Sequence, residues 1–155
     1  MIPLVAVLFI VGLQSGRLEY KFNEKEKPVA AAEFLKKEFL EGNMFNSYAF
    51  GGYMIYAAYP QYKVFIHGKI DWHGEEKLKE YLRVQYLESG WEDLLDKYNI
   101  KWIIFNTDSL LSRVLKEKNE WQLIYTDKVA NIFVRNVPEY FDIIKKYRQP
   151  LSPAS

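Results

Sequence analysis

Lys101 to Asn106 carries an unbroken Trp-Ile-Ile-Phe core and reads as a central strand. It constrains the fold more than any other stretch, because a strand this apolar needs neighbours that keep water away. A second run, Val64-Phe65-Ile66 within Lys63 to His67, also lacks polar alternation and predicts a strand buried on both faces. Buried strands of this kind call for helices on either side of a sheet.

The remaining segments supply those helices. Pro28 suits the first turn of a helix in which Ala31, Phe34, Leu35 and Phe39 share one face and Glu33, Lys36 and Lys37 face water. Gly42 is expected to stop it. Met44 to Tyr48 predicts a first strand. Gly51 and Gly52 predict a turn, and YMIYAAY a short helix ended by Pro60. Glu75 to Ser89 predicts a helix with Leu78, Tyr81 and Leu82 inward and acidic residues in its first turn. Ser89-Gly90-Trp91-Glu92 has capping-box spacing before a helix burying Leu94, Leu95 and Tyr98. Asp108 or Ser109 is placed to cap a helix burying Leu111, Val114 and Leu115. Trp121, Leu123 and Tyr125 alternate, as do Ala130, Ile132 and Val134, around a turn at Asp127-Lys128, which predicts a hairpin. Val137 to Tyr147 predicts a last helix. The expected class is α/β: a layered sandwich with a mixed, mainly parallel central sheet and a C-terminal antiparallel hairpin.

Residues 28–148 fit one α/β domain of ordinary size, with residues 18–27 as a linker and 149–155 as a tail. Residues 1–17 open with Met1 to Leu13, an uncharged apolar run. The run is shorter than the roughly 20 residues a membrane-spanning helix needs, and it lacks the basic start of a signal peptide. Three readings fit it: the end of a transmembrane helix, a buried element of the domain, or an interfacial anchor. Arg17 and Lys21 suit a headgroup boundary.

A net charge of +1, from 21 basic and 20 acidic residues, argues against a nucleic-acid footprint. With no cysteine, thiolate chemistry and cysteine-held metals are excluded. Twelve Tyr, ten Phe and four Trp point to an aromatic core, or to a surface that stacks on sugars or bases.

Polar groups cluster between Met44 and Gly74. Gly51-Gly52 would let a backbone approach an anion at a helix start, or would simply make a tight turn; neither a GxGxxG nor a Walker pattern is present. His67, Asp71 and His73 would make a two-histidine, one-carboxylate metal set, although their spacing matches no helical HExxH-type motif. Alternatively His67 ends a strand, Asp71 caps the adjoining loop or helix or pairs with Lys69, and His73 is exposed. Tyr53, Tyr56 and Trp72 either stack on a ligand or pack. Ser47, Ser89, Ser109 and Ser112 lie in no nucleophile elbow. The candidate ligand-binding residues are therefore Asn46, Gly51, Gly52, Tyr53, His67, Lys69 and Asp71, with no catalytic residue, metal or cofactor assigned.

Five segments in order carry a family resemblance: P-x-x-A-x-x-F-L (Pro28 to Leu35), N-x4-G-G-Y-M-I (Asn46 to Ile55), V-F-I-H-G-K-x-D (Val64 to Asp71), W-x3-L-x-K-Y-x-I-x-W-I-I (Trp91 to Ile104) and W-x-x-I-Y-x-D-x-x-A-x-I-F-V-R (Trp121 to Arg135). Together they resemble the C-terminal domain of polytopic membrane glycosyltransferase-like proteins related to dolichyl-phosphate-mannose–protein mannosyltransferases. His67 and Lys69 stand where that pattern has Asp and Arg. The resemblance implies a domain on the extracytoplasmic side, attached to the membrane through its apolar start and contacting acceptor or lipid-linked sugar. It also implies that this segment, lacking the family's sugar-transfer carboxylates, does not transfer sugar alone. The alternative from the residues themselves is a free-standing α/β enzyme or binding protein for a nucleotide or sugar phosphate, using Asn46, Gly51, Gly52 and Asp71.

Overall fold

The computed structural model describes residues 26–68 and 74–148. The Trp-Ile-Ile-Phe run is β2 (Ile100–Asn106), an inner strand of a four-stranded sheet. With β1 (Asn43–Asn46), β3 (Trp121–Thr126) and β4 (Ala130–Arg135), the order across the sheet is β1-β2-β4-β3. β1 runs parallel to β2, while β2/β4 and β3/β4 are antiparallel.

Alternation along the strands divides the core into two layers. Met44, Trp102, Ile104, Ile132 and Val134 pack against α1 (Val29–Lys37), α2 (Tyr48–Ala58) and α6 (Phe141–Tyr147) through residues such as Leu35, Met54 and Ile144. Phe45, Ile103, Phe105 and Phe133 pack against α3 (Gly74–Gln85), α4 (Trp91–Lys97) and α5 (Leu110–Glu117) through Tyr81, Leu95 and Leu111. The protein is thus a layered α/β sandwich, with a short 3-10 turn at Pro138–Tyr140 leading into α6. Each fully buried side chain of this size contributes roughly 1.5–3 kcal/mol.

Several elements depart from expectation, each for a local reason. Phe65 and Ile66 are buried, but Lys63 to His67 does not join the sheet as a strand. That leaves one parallel pairing of three. Gly51 and Gly52 lie inside α2, which starts directly after Ser47. α1 stops at Lys37, before Gly42, and Phe39 is 55% exposed, stacked on Tyr62 with ring centres 5.6 Å apart. Gly42 instead turns the chain into β1 at φ +94. The expected capping box at Ser89 is absent: left-handed Gly90 (φ +82) occupies the cap position with no side-chain cap bond. A bulge between Leu123 and Tyr125 breaks the predicted face, so Tyr125 packs with Phe34, ring centres 5.0 Å apart, on the layer opposite Leu123.

Other local signals hold. Ser109 caps α5 by accepting from the Ser112 backbone N–H at 3.0 Å. Asp127 closes the hairpin, its Oδ1 accepting from the backbone N–H groups of Val129 (2.6 Å) and Ala130 (2.8 Å). Residues 1–25 and 149–155 lie outside the described residues, and so does the expected role of Met1 to Leu13.

One buried carboxylate ties α3 to α4. Glu80 is 7% exposed and accepts from Lys97 Nζ and the Tyr98 hydroxyl. Those two bonds, Lys97's first, hold its pKa below the ordinary value of 4.5. The folded value therefore lies below the unfolded one. Glu80 contributes stability that is fully present above about pH 4.5 and is lost as pH falls through the folded value. Urea midpoints are expected to fall more steeply below that pH for the wild type than for Glu80→Gln. Superimposable pH profiles would sink this assignment.

Candidate functional site

The end of β1 is built around Asn46, which is fully buried. Its Oδ1 accepts from the backbone N–H of Phe65 at 2.7 Å and of Ile66 at 3.3 Å. Its Nδ2 donates to the carbonyls of Ile66 at 2.8 Å and Ser47 at 2.9 Å. One side-chain amide thus does for the 65–66 segment what a neighbouring strand does elsewhere. Gly51 presses on the same segment. A Cβ at Gly51 would lie 2.2 Å from the Ile66 carbonyl oxygen and 2.8 Å from His67 Cα.

Of the sequence-predicted residues, Asn46, Gly51 and His67 are therefore brought together, and His67 is half-buried. Gly52 is exposed, with open space where a Cβ would stand. Tyr53 is buried in the α2 layer beside Phe50 and Met54. Lys69 and Asp71, with Trp72 and His73, lie outside the described residues.

Beside this junction, the carboxyl ends of β1 and β2 open on a cleft of about 470 Å³. In α/β sheets this end is where ligands are usually taken. Ser47 and Asn106 come from the strand ends, Tyr48 from the start of α2, and Ser109 and Leu110 from the start of α5. Tyr81, Gln85 and Tyr86 come from α3 and the turn after it. Ser47 Oγ donates to Asn106 Oδ1 at 2.6 Å, joining the two strand ends. Ser112 Oγ donates to the Asn106 carbonyl at 2.7 Å. The Tyr48 backbone N–H donates to the Tyr81 hydroxyl at 2.8 Å.

Burial pushes the Tyr81 phenol up to about 12, so it stays neutral at physiological pH. Among the described residues, none that lines the cleft carries a charge. Sequence reasoning missed this cleft. Its residues are drawn from four separated segments, and the one available signal was that Ser47 and Asn106 lie at the carboxyl ends of the parallel strands.

No family model matches the chain, and no curated protein matches it. Among solved structures, it is similar to the C-terminal globular domain of an oligosaccharyltransferase (AfAglB-S2) from Archaeoglobus fulgidus. The TM-score is 0.54 at 8% identity, covering 70% of this chain and 95% of that one. At that identity the likeness is one of fold. Among the described residues, no helix is long and apolar enough to cross a membrane.

Proposed function

We propose that residues 28–148 form a non-catalytic accessory domain of a membrane glycosyltransferase-like protein. The domain stands on the extracytoplasmic side, attached through the apolar segment Met1 to Leu13, and contacts acceptor or lipid-linked sugar. The observation that carries this reading is the fold likeness to the C-terminal globular domain of an oligosaccharyltransferase, nearly all of which is covered.

The five ordered segments between Pro28 and Arg135 add support, and several of their residues make structural contacts. Asn46 holds the 65–66 segment, and Gly51 fits against it. Trp102 Nε1 donates to the Gly42 carbonyl at 3.1 Å. Tyr125 and Asp127 share a hydrogen bond at 2.5 Å. Arg135 lies 4.7 Å over the Trp121 ring, and its guanidinium donates to the Ile100 carbonyl and to Asp96, each at 2.7 Å. These pattern residues build the fold.

The test is cellular. With an epitope tag after Ser155, the tagged protein should stay in the membrane pellet after alkaline carbonate extraction. The tag should be removed when protease is added to intact spheroplasts. A tag found in the soluble fraction, or protected until lysis, overturns the reading.

A further inference from the structure

The geometry points to a binding site for a neutral sugar residue in the cleft at the carboxyl ends of β1 and β2. This deepens the accessory-domain reading and rests on it for the source of the sugar, whereas the binding itself is tested independently.

The first argument is charge. Charged residues make up 26% of the chain, yet among the described residues none lines the cleft. A phosphate, carboxylate or ammonium group entering it would lose water without gaining a counter-charge. The starts of α2 and α5, which elsewhere attract anions, are partly satisfied from within: the Tyr48 N–H by the Tyr81 hydroxyl, and the Ser112 N–H by Ser109 Oγ. Phosphate-bearing ligands are therefore disfavoured here.

The second argument is the mixture of surfaces. Tyr86 and Leu110 stand at the cleft 59% and 51% exposed, among the few large apolar side chains so placed in the described residues. Around them are the amides of Gln85 and Asn106 and the hydroxyls of Tyr48 and Ser109. Asn106 Oδ1 is engaged by Ser47, so its amide NH2 is the group left to donate. A pyranose ring has one face of C–H groups and an edge of hydroxyls that both donate and accept. The C–H face suits Tyr86 and Leu110, and the hydroxyl edge suits the amides and hydroxyls. Tyr48 Oη donates to the Gly68 carbonyl at 3.3 Å and Ser109 Oγ accepts from the Ser112 N–H, so a wholly apolar ligand would leave the Gln85 amide and the Asn106 NH2 without partners. The volume, about 470 Å³, lies within the roughly 300–1,000 Å³ of small-molecule sites. The strand-end bonds Ser47–Asn106 and Ser112–Asn106 fix the cleft floor before a ligand arrives.

The experiment is an amide NMR titration of the full chain, held in a detergent without a sugar headgroup. The probes are neutral disaccharides of mannose, glucose and N-acetylglucosamine, with inorganic phosphate as the charged control. At least one sugar should shift the Tyr48, Gln85, Tyr86 and Ser109 amides saturably, and phosphate should not. Tyr86→Ala, at an exposed position that leaves the fold intact, should weaken half-saturation about tenfold, and Tyr86→Phe should restore most of it. No saturable shift with any sugar, shifts confined to other surfaces, equal binding by Tyr86→Ala, or shifts of the same amides by phosphate would each overturn the site. Failure of binding in a chain whose tag is membrane-attached and outside overturns the sugar site alone. Binding by a chain found in the soluble fraction keeps the site and overturns the accessory-domain reading.

Discussion

Asn46→Ala is expected to lower the unfolding free energy by about 4 kcal/mol, read as a reduced urea midpoint with an unchanged slope. The substitution removes four hydrogen bonds at once. It leaves the N–H groups of Phe65 and Ile66 and the Ile66 carbonyl buried beside apolar side chains, and each such orphan costs roughly 1–3 kcal/mol. The two aromatic and aliphatic side chains they carry, Phe65 and Ile66, then lose their anchor against Phe45 and Tyr81. Asn46→Asp separates the parts: it keeps acceptors for the two N–H groups, loses both donors and buries a charge, so it too should be severely destabilised. A loss below about 1 kcal/mol in Asn46→Ala would show that the 65–66 segment is held by its apolar contacts alone.

The adjacent glycines should respond in opposite directions. At Gly51 an added methyl meets the Ile66 carbonyl oxygen at 2.2 Å, a backbone atom that moves only if α2 or the 65–66 segment moves. Gly51→Ala is expected to destabilise by about 3 kcal/mol. At Gly52 the same methyl enters open space on a helix interior position, so Gly52→Ala should stabilise by about 0.5–1 kcal/mol through helix propensity. Thermal melts of the two single variants decide the matter. Similar shifts for both would mean that the close approach at Gly51 is relieved cheaply.

These positions also mark where the sequence was legible. β2 was readable because its burial depends on composition alone. So was the hairpin around Asp127, and so was the Ser109 cap, because each works through contacts only a few residues apart. Lys63 to His67 departs from its predicted strand for a different reason. Its Phe65 and Ile66 are buried as predicted, but its backbone is satisfied by Asn46, about twenty residues earlier, and no local pattern announces a side chain standing in for a strand. The glycine pair was read as a turn because small residues after a strand usually turn. Here Gly51 is small so that α2 can lie against a passing chain. Tyr125 changed layers because of a one-residue bulge, which periodicity cannot register. Nothing local marks Glu80 for burial; Lys97 and Tyr98 of the next segment close over it. The cleft was the least legible feature, since its chemistry lies in what its lining lacks.

The bulge in β3 has a further consequence for how copies of this protein meet. β3 and β1 are the two outer strands of the sheet, and an outer strand is a template on which another chain can pair. β3 is interrupted between Leu123 and Tyr125, which breaks the regular row of outward donors and acceptors. β1 is only four residues long, and Asn46 at its end is already committed to its own chain. Among the described residues, neither border offers a long, straight run along which a strand of a neighbouring copy could pair.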